Sequence, residues 1–481
     1  MRCVTSPGDS LPRRLVWIAA VALLAACTGA GRDAAIDAAR PDIVVIVADD
    51  LGWNDVGYHG SEIGTPSIDG LVRAGVELDR FYTMGICSPT RMGLMTGRFP
   101  IRWGMQHIVV RPQSRLGLPR EETTLAEMLG AAGYGERAAV GKWHLGHAER
   151  AYHPIERGFT SFYGSYNGYV DYYTHRRLGE RDWHRGFETA SDEDGEYVTE
   201  LIAREATAIV EAHIADAEPL FLYVAFQSPH FPYQAPERYL AANAAIADER
   251  RRVHAAKVNA LDEAVGEILA AIDRAQASSS TLVWFLSDNG ADPKHGGANS
   301  PLCGRKHSVN EGGLRVPAAV RWPDGGVSGG RKVESLVGVT DVFPTLATAA
   351  GASLDESVEY DGRNVLGVLR GETPAAPRAW FAQVVDTAGG GHAAAVIDGE
   401  WKLIRTGTAA RRAGAGGSGR ELYRVRSDPA EATELGDEHP EIVERLDAKL
   451  DRFLDLGPGE RQMDGDQGPG RWKPPQNWTM R

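Results

Sequence analysis

Three stretches of this 481-residue chain read as strands with no polar face. Residues 42–49 spell D-I-V-V-I-V-A-D, residues 220–226 spell L-F-L-Y-V-A-F ahead of S-P-H, and residues 282–289 spell L-V-W-F-L-S-D-N. A strand with one wet face alternates apolar and polar residues, whereas a strand covered on both faces is apolar throughout. Such strands belong to a parallel sheet held between helices. Each of these three also ends on carboxylate, amide or imidazole side chains, and the carboxyl edge of an open α/β sheet is where ligands sit. The chain is therefore expected to be an α/β protein whose site lies along one sheet edge.

The rest of the chain fits that frame. Leu261, Val265, Ile268, Leu269 and Ile272 recur at helical spacing, which predicts an amphipathic helix over about 250–275. A short helix is expected from Thr124 to Ala132, capped by Thr123 or Thr124. The length exceeds one typical core, so a large domain over 41–375 with a smaller α+β subdomain over 376–456 is the natural division. In the smaller part, residues 393–405 read as two strands around Asp398-Gly399. A Gly/Ala/Arg-rich loop at 408–419, E-L-Y at 421–423 and a helix around 440–454 follow. The polar, Gly- and Pro-rich residues 457–481 read as an extended tail.

At the N-terminus, Arg13 and Arg14 precede an apolar run from Leu15 to Ala26 that is too short for a stable membrane span. The run ends in Leu24-Ala25-Ala26-Cys27, which resembles a bacterial lipobox. That likeness implies a lipoprotein signal peptide over 1–26, lipidation of Cys27, a tether over 27–40, and an exported protein held at a membrane surface by lipid chains. A plain signal peptide with a small-residue cleavage site is the alternative. The formal charge is −13, and removing Arg2, Arg13, Arg14 and Asp9 with the signal would deepen it. Such a surface does not draw in nucleic acid, so an anionic substrate must be held by local cations. Of four cysteines, only Cys87 and Cys303 would remain with free thiols, which is not a disulfide framework, although a pair between them is possible.

Local cations are present in several motifs. Cys87-Ser88-Pro89-Thr90-Arg91 is followed by M-G-L-M-T-G-R to Arg98. Proline suits a first helical turn. A helix beginning there places Cys87 at an N-terminus with Arg91 one turn on, and together these make an anion site. Asp49, Asp50, Asp288 and Asn289 close two of the strands. Three carboxylates and an amide are hard oxygen ligands that suit a divalent cation, Ca²⁺ above Mg²⁺ for irregular geometry. Lys142 and His144, in G-K-W-H-L-G, lie two apart on one side of an extended segment. Ser228-Pro229-His230-Phe231-Pro232 presents a histidine between prolines, and Gly304-Arg305-Lys306 precedes E-G-G at 311–313.

The string C-S-P-T-R…T-G-R resembles the type I sulfatase signature C-x-P-S-R…T-G-R, with Thr90 where the family more usually has serine. The likeness runs from about residue 41 to 350. A-D-D-L-G-W-N-D-V-G-Y-H-G, V-G-K-W-H-L-G, P-L-C-G-R-K-H-S-V-N-E-G-G, Gln106-His107 and Asp171 to His175 are similar to the arylsulfatase B, or N-acetylgalactosamine-4-sulfatase, group. It implies an alkaline-phosphatase-like fold: a large mixed, mostly parallel sheet between helices plus the small C-terminal subdomain. It further implies oxidation of Cys87 to formylglycine by a formylglycine-generating maturation enzyme. Calcium would be held by Asp49, Asp50, Asp288 and Asn289 together with the modified Cys87. Catalytic roles would fall to Cys87, Arg91, Lys142, His144, His230 and Lys306, and the substrate would be a sulfated glycan or small sulfate ester.

On this reading the aldehyde hydrates and one hydroxyl attacks sulfur, with Asp288 accepting its proton. Arg91, Lys142 and Lys306 clamp the sulfuryl oxygens. His230, with Lys306, protonates the departing alkoxide, and His144 deprotonates the second hydroxyl to expel sulfate. Two other readings are weighed against it. One is a phosphonate or phosphate ester hydrolase of the same superfamily, and the other is a lipoprotein that binds sulfated glycan without cleaving it.

Overall fold

The computed structural model describes residues 40–213, 218–386, 391–410 and 419–458. The expected signal peptide, Cys27, almost all of the expected tether, positions 411–418 of the Gly/Ala/Arg-rich loop and the tail from 459 onward lie outside the described residues.

Ten strands make the main sheet: β1 (Asp42–Asp49), β2 (Val76–Leu78), β3 (Arg137–Lys142), β4 (Ser161–Ser165), β5 (His184–Arg185), β6 (Glu188–Thr189), β7 (Phe221–Pro229), β8 (Thr281–Ser287), β9 (Ala318–Arg321) and β10 (Arg331–Val333). Their order is β10-β2-β9-β8-β1-β7-β3-β4-β5-β6. The central run β8-β1-β7-β3-β4 is parallel throughout, while β9 and β5 pair antiparallel at its two sides. The three apolar runs are thus β1, β7 and β8, side by side at the centre. Their lack of alternation has the expected cause. Ile43, Val45 and Val47 enter one apolar layer and Val44, Ile46 and Ala48 the other, and β7 and β8 divide in the same way.

Helices cover both faces. On one side lie α1 (Pro66–Ala74), α4 (Val198–His213) and α5 (Glu249–Arg274); on the other lie α2 (Cys87–Thr96), α3 (Leu125–Ala131) and α6 (Val342–Ala349). The start of α3 is a reciprocal cap: the Thr124 hydroxyl accepts from the Glu127 N–H at 3.1 Å, and Glu127 accepts from the Thr124 N–H at 2.7 Å. Asp248 caps α5 through the Arg251 N–H at 2.8 Å.

A four-stranded antiparallel sheet follows, in the order β11 (Ala379–Asp386), β12 (Gly391–Asp398), β13 (Trp401–Thr406), β14 (Arg420–Tyr423). The expected hairpin is β12–β13, with Gly399 at φ 66° in its turn, where a side chain would be strained. Helix α7 (Pro440–Leu454) covers this sheet with Leu446, Leu450 and Phe453. Trp380, Val396, Leu403 and Phe453 belong to the same apolar layer as α2 and α3, so the small sheet has no separate core.

Candidate active site

Because β8, β1, β7 and β3 are adjacent and parallel, their carboxyl ends share one edge. Ala48 pairs with Ser287, Asp49 with Pro229, and Ala225 with Gly141. The residues that follow therefore meet: Asp49 and Asp50 from β1, His230 after β7, Asp288 and Asn289 after β8, and Lys142 at the end of β3. Helix α2 brings its first turn to them, and the loop before Glu311–Leu314 brings Lys306. Asp49, Arg91, Asp288 and Asn289 are fully buried, and Asp50, Cys87, Lys142, His144 and Lys306 nearly so. Only His230 is part-exposed, at 14%.

Each carboxylate faces a cation. Lys142 Nζ lies 2.5 Å from Asp49, Lys306 Nζ 2.6 Å from Asp50, and Arg91 donates to Asp288 through Nε at 3.1 Å and Nη2 at 2.9 Å. Arg91 also donates to the Lys142 carbonyl at 3.1 Å and the Tyr223 hydroxyl at 3.3 Å. The Cys87 thiol sits among these groups, 3.5 Å from Asp49 Oδ1 and 3.2 Å from Lys306 Nζ. Asp50 stands at φ 63° and His144 at φ 58°, the left-handed region that costs a non-glycine residue about 1 kcal/mol or more. The expected extended Lys142–His144 segment is therefore modified. Lys142 ends the strand, and a turn at His144, rather than strand alternation, brings the two side chains to the site.

Burial sets the electrostatics. It pushes the Asp49 carboxyl up to about 7, helped by Asp288 and opposed by Lys142. It acts the same way on Asp50, but Lys306, His230 and Asn289 overcome it and hold that carboxyl well below the ordinary range. Burial pushes the Cys87 thiol up to about 12 against Lys142 and Lys306. An unmodified thiol here is not a thiolate at neutral pH. His144 is kept neutral by burial and then by Lys142, Arg91 and Lys306. Its Nε2 lies 2.9 Å from the Val110 carbonyl, so the proton is on Nε2 and the buried Nδ1, which has no hydrogen-bond partner, carries the lone pair. His230 is likewise neutral through burial, with Nδ1 2.7 Å from the Phe231 carbonyl and Nε2 3.6 Å from Asp50.

Asp49, Asp50, Cys87 and His230 each bring a ligand atom within 4.8 Å of one another. A thiol and an imidazole alone would suit zinc. Three carboxylates suit calcium better, as does the Asn289 Oδ1, which is buried without a partner while its Nδ2 donates to Asp50 at 2.6 Å. An amide oxygen left over in a ring of carboxylates is the acceptor a hard cation would take. The donor set fits Ca²⁺.

Other expectations fall outside the reacting centre. Gln106 accepts from the Ile101 N–H at 3.1 Å, and Asp171 accepts from the Tyr173 and Thr174 N–H groups, both shaping loops. His175 is buried against the Glu196 carbonyl. Cys87 and Cys303 are both free. One important residue has no motif around it. Lys257 of α5 buries its ammonium against the carbonyls of Pro229, His230 and Pro232, at 2.8, 3.2 and 3.3 Å, and so clamps the loop that carries His230. Its one signal in the sequence is position: it lies four residues before Leu261, on the apolar stripe of α5.

A family model described as Sulfatase matches residues 41–352. Arylsulfatase J of Mus musculus is 39% identical over 332 residues, covering 68% of this chain and 55% of that protein. The chain thus spans little more than half of that relative's length. N-acetylgalactosamine-6-sulfatase of Canis lupus familiaris is 34% identical over 373 residues, 73% of this chain and 70% of that protein. The solved structure of Ps i-CgsB in complex with k-i-k-neocarrahexaose superimposes with a TM-score of 0.81 at 28% identity, covering 89% of this chain and 96% of that one.

Proposed function

The chain belongs to the sulfatase family, and from that premise we propose that it is a sulfuric ester hydrolase releasing sulfate from a sulfated carbohydrate. The observation that carries the reading is the setting of Cys87, at the first turn of α2, 3.2 Å from Lys306 and 3.5 Å from Asp49. A formylglycine made from Cys87 by a maturation enzyme, and a calcium ion held by Asp49, Asp50, Asp288 and Asn289, would supply a hydrated-aldehyde nucleophile and Lewis-acid polarisation. Two features of the site support both groups. The Cys87 thiol is pushed up to about 12 by burial and is a poor nucleophile unmodified. The three carboxylates are matched by three cations, so the side chains alone offer an anion no net attraction.

The chain's own residues divide the remaining work. Arg91, Lys142 and Lys306 surround the position of the sulfuryl oxygens and are held in place by Asp288, Asp49 and Asp50. Asp288, which already accepts from Arg91, takes the proton of the attacking hydroxyl. His230 Nε2 and Lys306 Nζ meet at Asp50: Lys306, held protonated there, hands the proton to the leaving sugar oxygen, while His230, neutral with its proton on Nδ1 toward Phe231, positions that oxygen through Nε2. His144 accepts a proton at Nδ1, the atom its bond to Val110 leaves free.

The sugar is a second level of the proposal. The sequence resemblance names N-acetylgalactosamine 4-sulfate, while relatives add a 6-sulfatase of the same sugar and a structure bound to neocarrahexaose. The decisive experiment combines mass and turnover. The peptide containing Cys87 should be about 18 Da lighter than the thiol form, and the protein should release sulfate from a panel of sulfated saccharides and from an aryl sulfate faster than phosphate from the matching phosphate ester. Cys87→Ser should stop with sulfate attached to the enzyme, and repeated turnover by that variant at an undiminished rate would refute the scheme. The cell location is proposed with it: export and lipid attachment at Cys27, supported by the lipobox-like L-A-A-C. Fatty-acid labelling that leaves the protein unmarked would sink the anchor and leave the chemistry standing.

A further inference from the structure

One wall beside His230 is built from rings that no step above uses. The Tyr169 ring lies 5.4 Å from the His230 ring and 5.1 Å from Phe231. Phe231 in turn meets Tyr233 at 5.8 Å and His295 at 5.5 Å. The Tyr233 hydroxyl pairs with His295 Nδ1 at 2.5 Å, which fixes the outer end. These rings come from three separate segments: the loop after β4, the loop after β7 and the turn Pro293–His295 after β8. None of the four is fully buried, and Tyr233 is 39% exposed. Apolar rings of this size left open beside a reacting centre make a platform for the flat face of a ligand.

A cation tops the platform. The Arg177 guanidinium lies 3.8 Å over the Tyr169 ring. Its Nε is buried without a hydrogen-bond partner, and among the described residues no carboxylate is recorded within ion-pair distance of it. Two arginines near it in sequence do have one: Arg181 pairs with Asp194 and the exposed Arg185 with Glu205. A guanidinium stacked on an aromatic ring but given no anion by the described residues is poised for an anion from outside, and its planar fork matches a carboxylate or a sulfate.

Resting on the sulfatase reading, the structure assigns Tyr169, Phe231, Tyr233, His295 and Arg177 to a subsite for the leaving-group side of the substrate. The sugar next to the cleaved sulfate lies against the rings, and Arg177 pairs with a second anionic substituent on that portion of the chain. The side is set by His230, the group placed at the leaving oxygen, since Tyr169 and Phe231 flank it. The substrate class narrows to a sulfated oligosaccharide carrying another negative charge within one sugar of the reacting ester.

Arg177→Ala tests this with four sulfate esters: 4-nitrophenyl sulfate, and three disaccharides whose neighbouring ring is neutral, carries a carboxylate, or carries a second sulfate. The variant should raise KM for one or both charged disaccharides by about tenfold, the size of one lost charge-assisted pair. It should leave kcat on them and both constants for 4-nitrophenyl sulfate as in the wild type. Which charged disaccharide responds identifies the anion read. A variant that loses activity equally on all four esters has a structural arginine, and one unchanged on all four has an idle one; either result overturns the subsite. A wild-type enzyme that cleaves none of the esters overturns the sulfatase reading and this one with it.

Discussion

One small choice of side chain at the site carries a large mechanical load. A Cβ on Gly168 would lie 2.8 Å from both Cε1 and Nε2 of His144, so glycine is required for that imidazole to lie flat and reach Val110. Gly168→Ala must displace the ring. A misplacement of about 1 Å can cost on the order of 100-fold, so kcat should fall by about that factor with KM and the melting temperature little changed. Steady-state kinetics beside a thermal melt checks this, and an unaltered kcat would remove His144 from the scheme. The motif G-K-W-H-L-G shows the imidazole in the sequence, but the glycine that makes room for it lies 24 positions later and carries no signal of its own.

Among the elements, the relation between helix α5 and the His230 loop is the least obvious. A lysine in the apolar stripe of a long helix would ordinarily be a defect, yet Lys257 donates to three carbonyls of one loop: the buried Pro229 oxygen, and the His230 and Pro232 oxygens, which also accept from the Tyr172 hydroxyl and the Gln234 N–H. Lys257→Met should cost about 1–3 kcal/mol, the range for buried polar groups left unpaired, readable in urea melts. It should also lower kcat more on alkyl sugar sulfates than on 4-nitrophenyl sulfate. The sugar alkoxide needs a proton handed over beside His230, and nitrophenolate leaves without one. Equal loss on both esters would mean that the clamp does not act through His230. Helix α2 shows the complementary case. All ten of its residues are buried, so its position is over-determined by packing, and its N-terminus can be aimed with precision at the sheet edge.

Across the molecule, the small C-terminal sheet is tied to the site by a buried ionic knot. Lys402 of β13, fully buried, lies 3.0 Å from Glu311 and 2.9 Å from Glu431. The Tyr82 hydroxyl donates to Glu311 at 2.8 Å, and Glu431 accepts from the Glu311 N–H at 2.9 Å. Glu311 opens the short helix that follows the Lys306 loop; a Cβ on Gly290 would lie 1.8 Å from the Gly312 carbonyl oxygen, and a Cβ on Gly312 would meet the Cys303 and Gly304 carbonyl oxygens at 2.7 and 2.8 Å. Lys402→Met leaves two carboxylates facing each other in the dark and should destabilise the protein by about 3–5 kcal/mol, measured by denaturant unfolding. A loss below 1 kcal/mol would show the small sheet to be dispensable to the core. The sequence strings E-L-Y and E-G-G are visible beforehand, but that Glu431 and Glu311 share one lysine is not.

What the sequence by itself determined is everything that local patterning decides. Unbroken apolar runs at 42–49, 220–226 and 282–289 read as strands covered on both faces, the helical spacing over 250–275 reads as an amphipathic helix, and a proline two residues after Cys87 suits a helix start. Chemistry-bearing residues at the ends of those elements followed from the same strings. Tertiary structure alone decided which ends meet, because pairing of β8, β1, β7 and β3 depends on contacts spread across the whole chain: Lys306 reaches Asp50 over 256 positions, and Arg91 reaches Asp288 over 197. It also decided the left-handed turns at Asp50 and His144, the clamp by Lys257 and the knot at Lys402. Each of these is a balance of burial against a partner from a distant segment, and no window of sequence contains both sides of it.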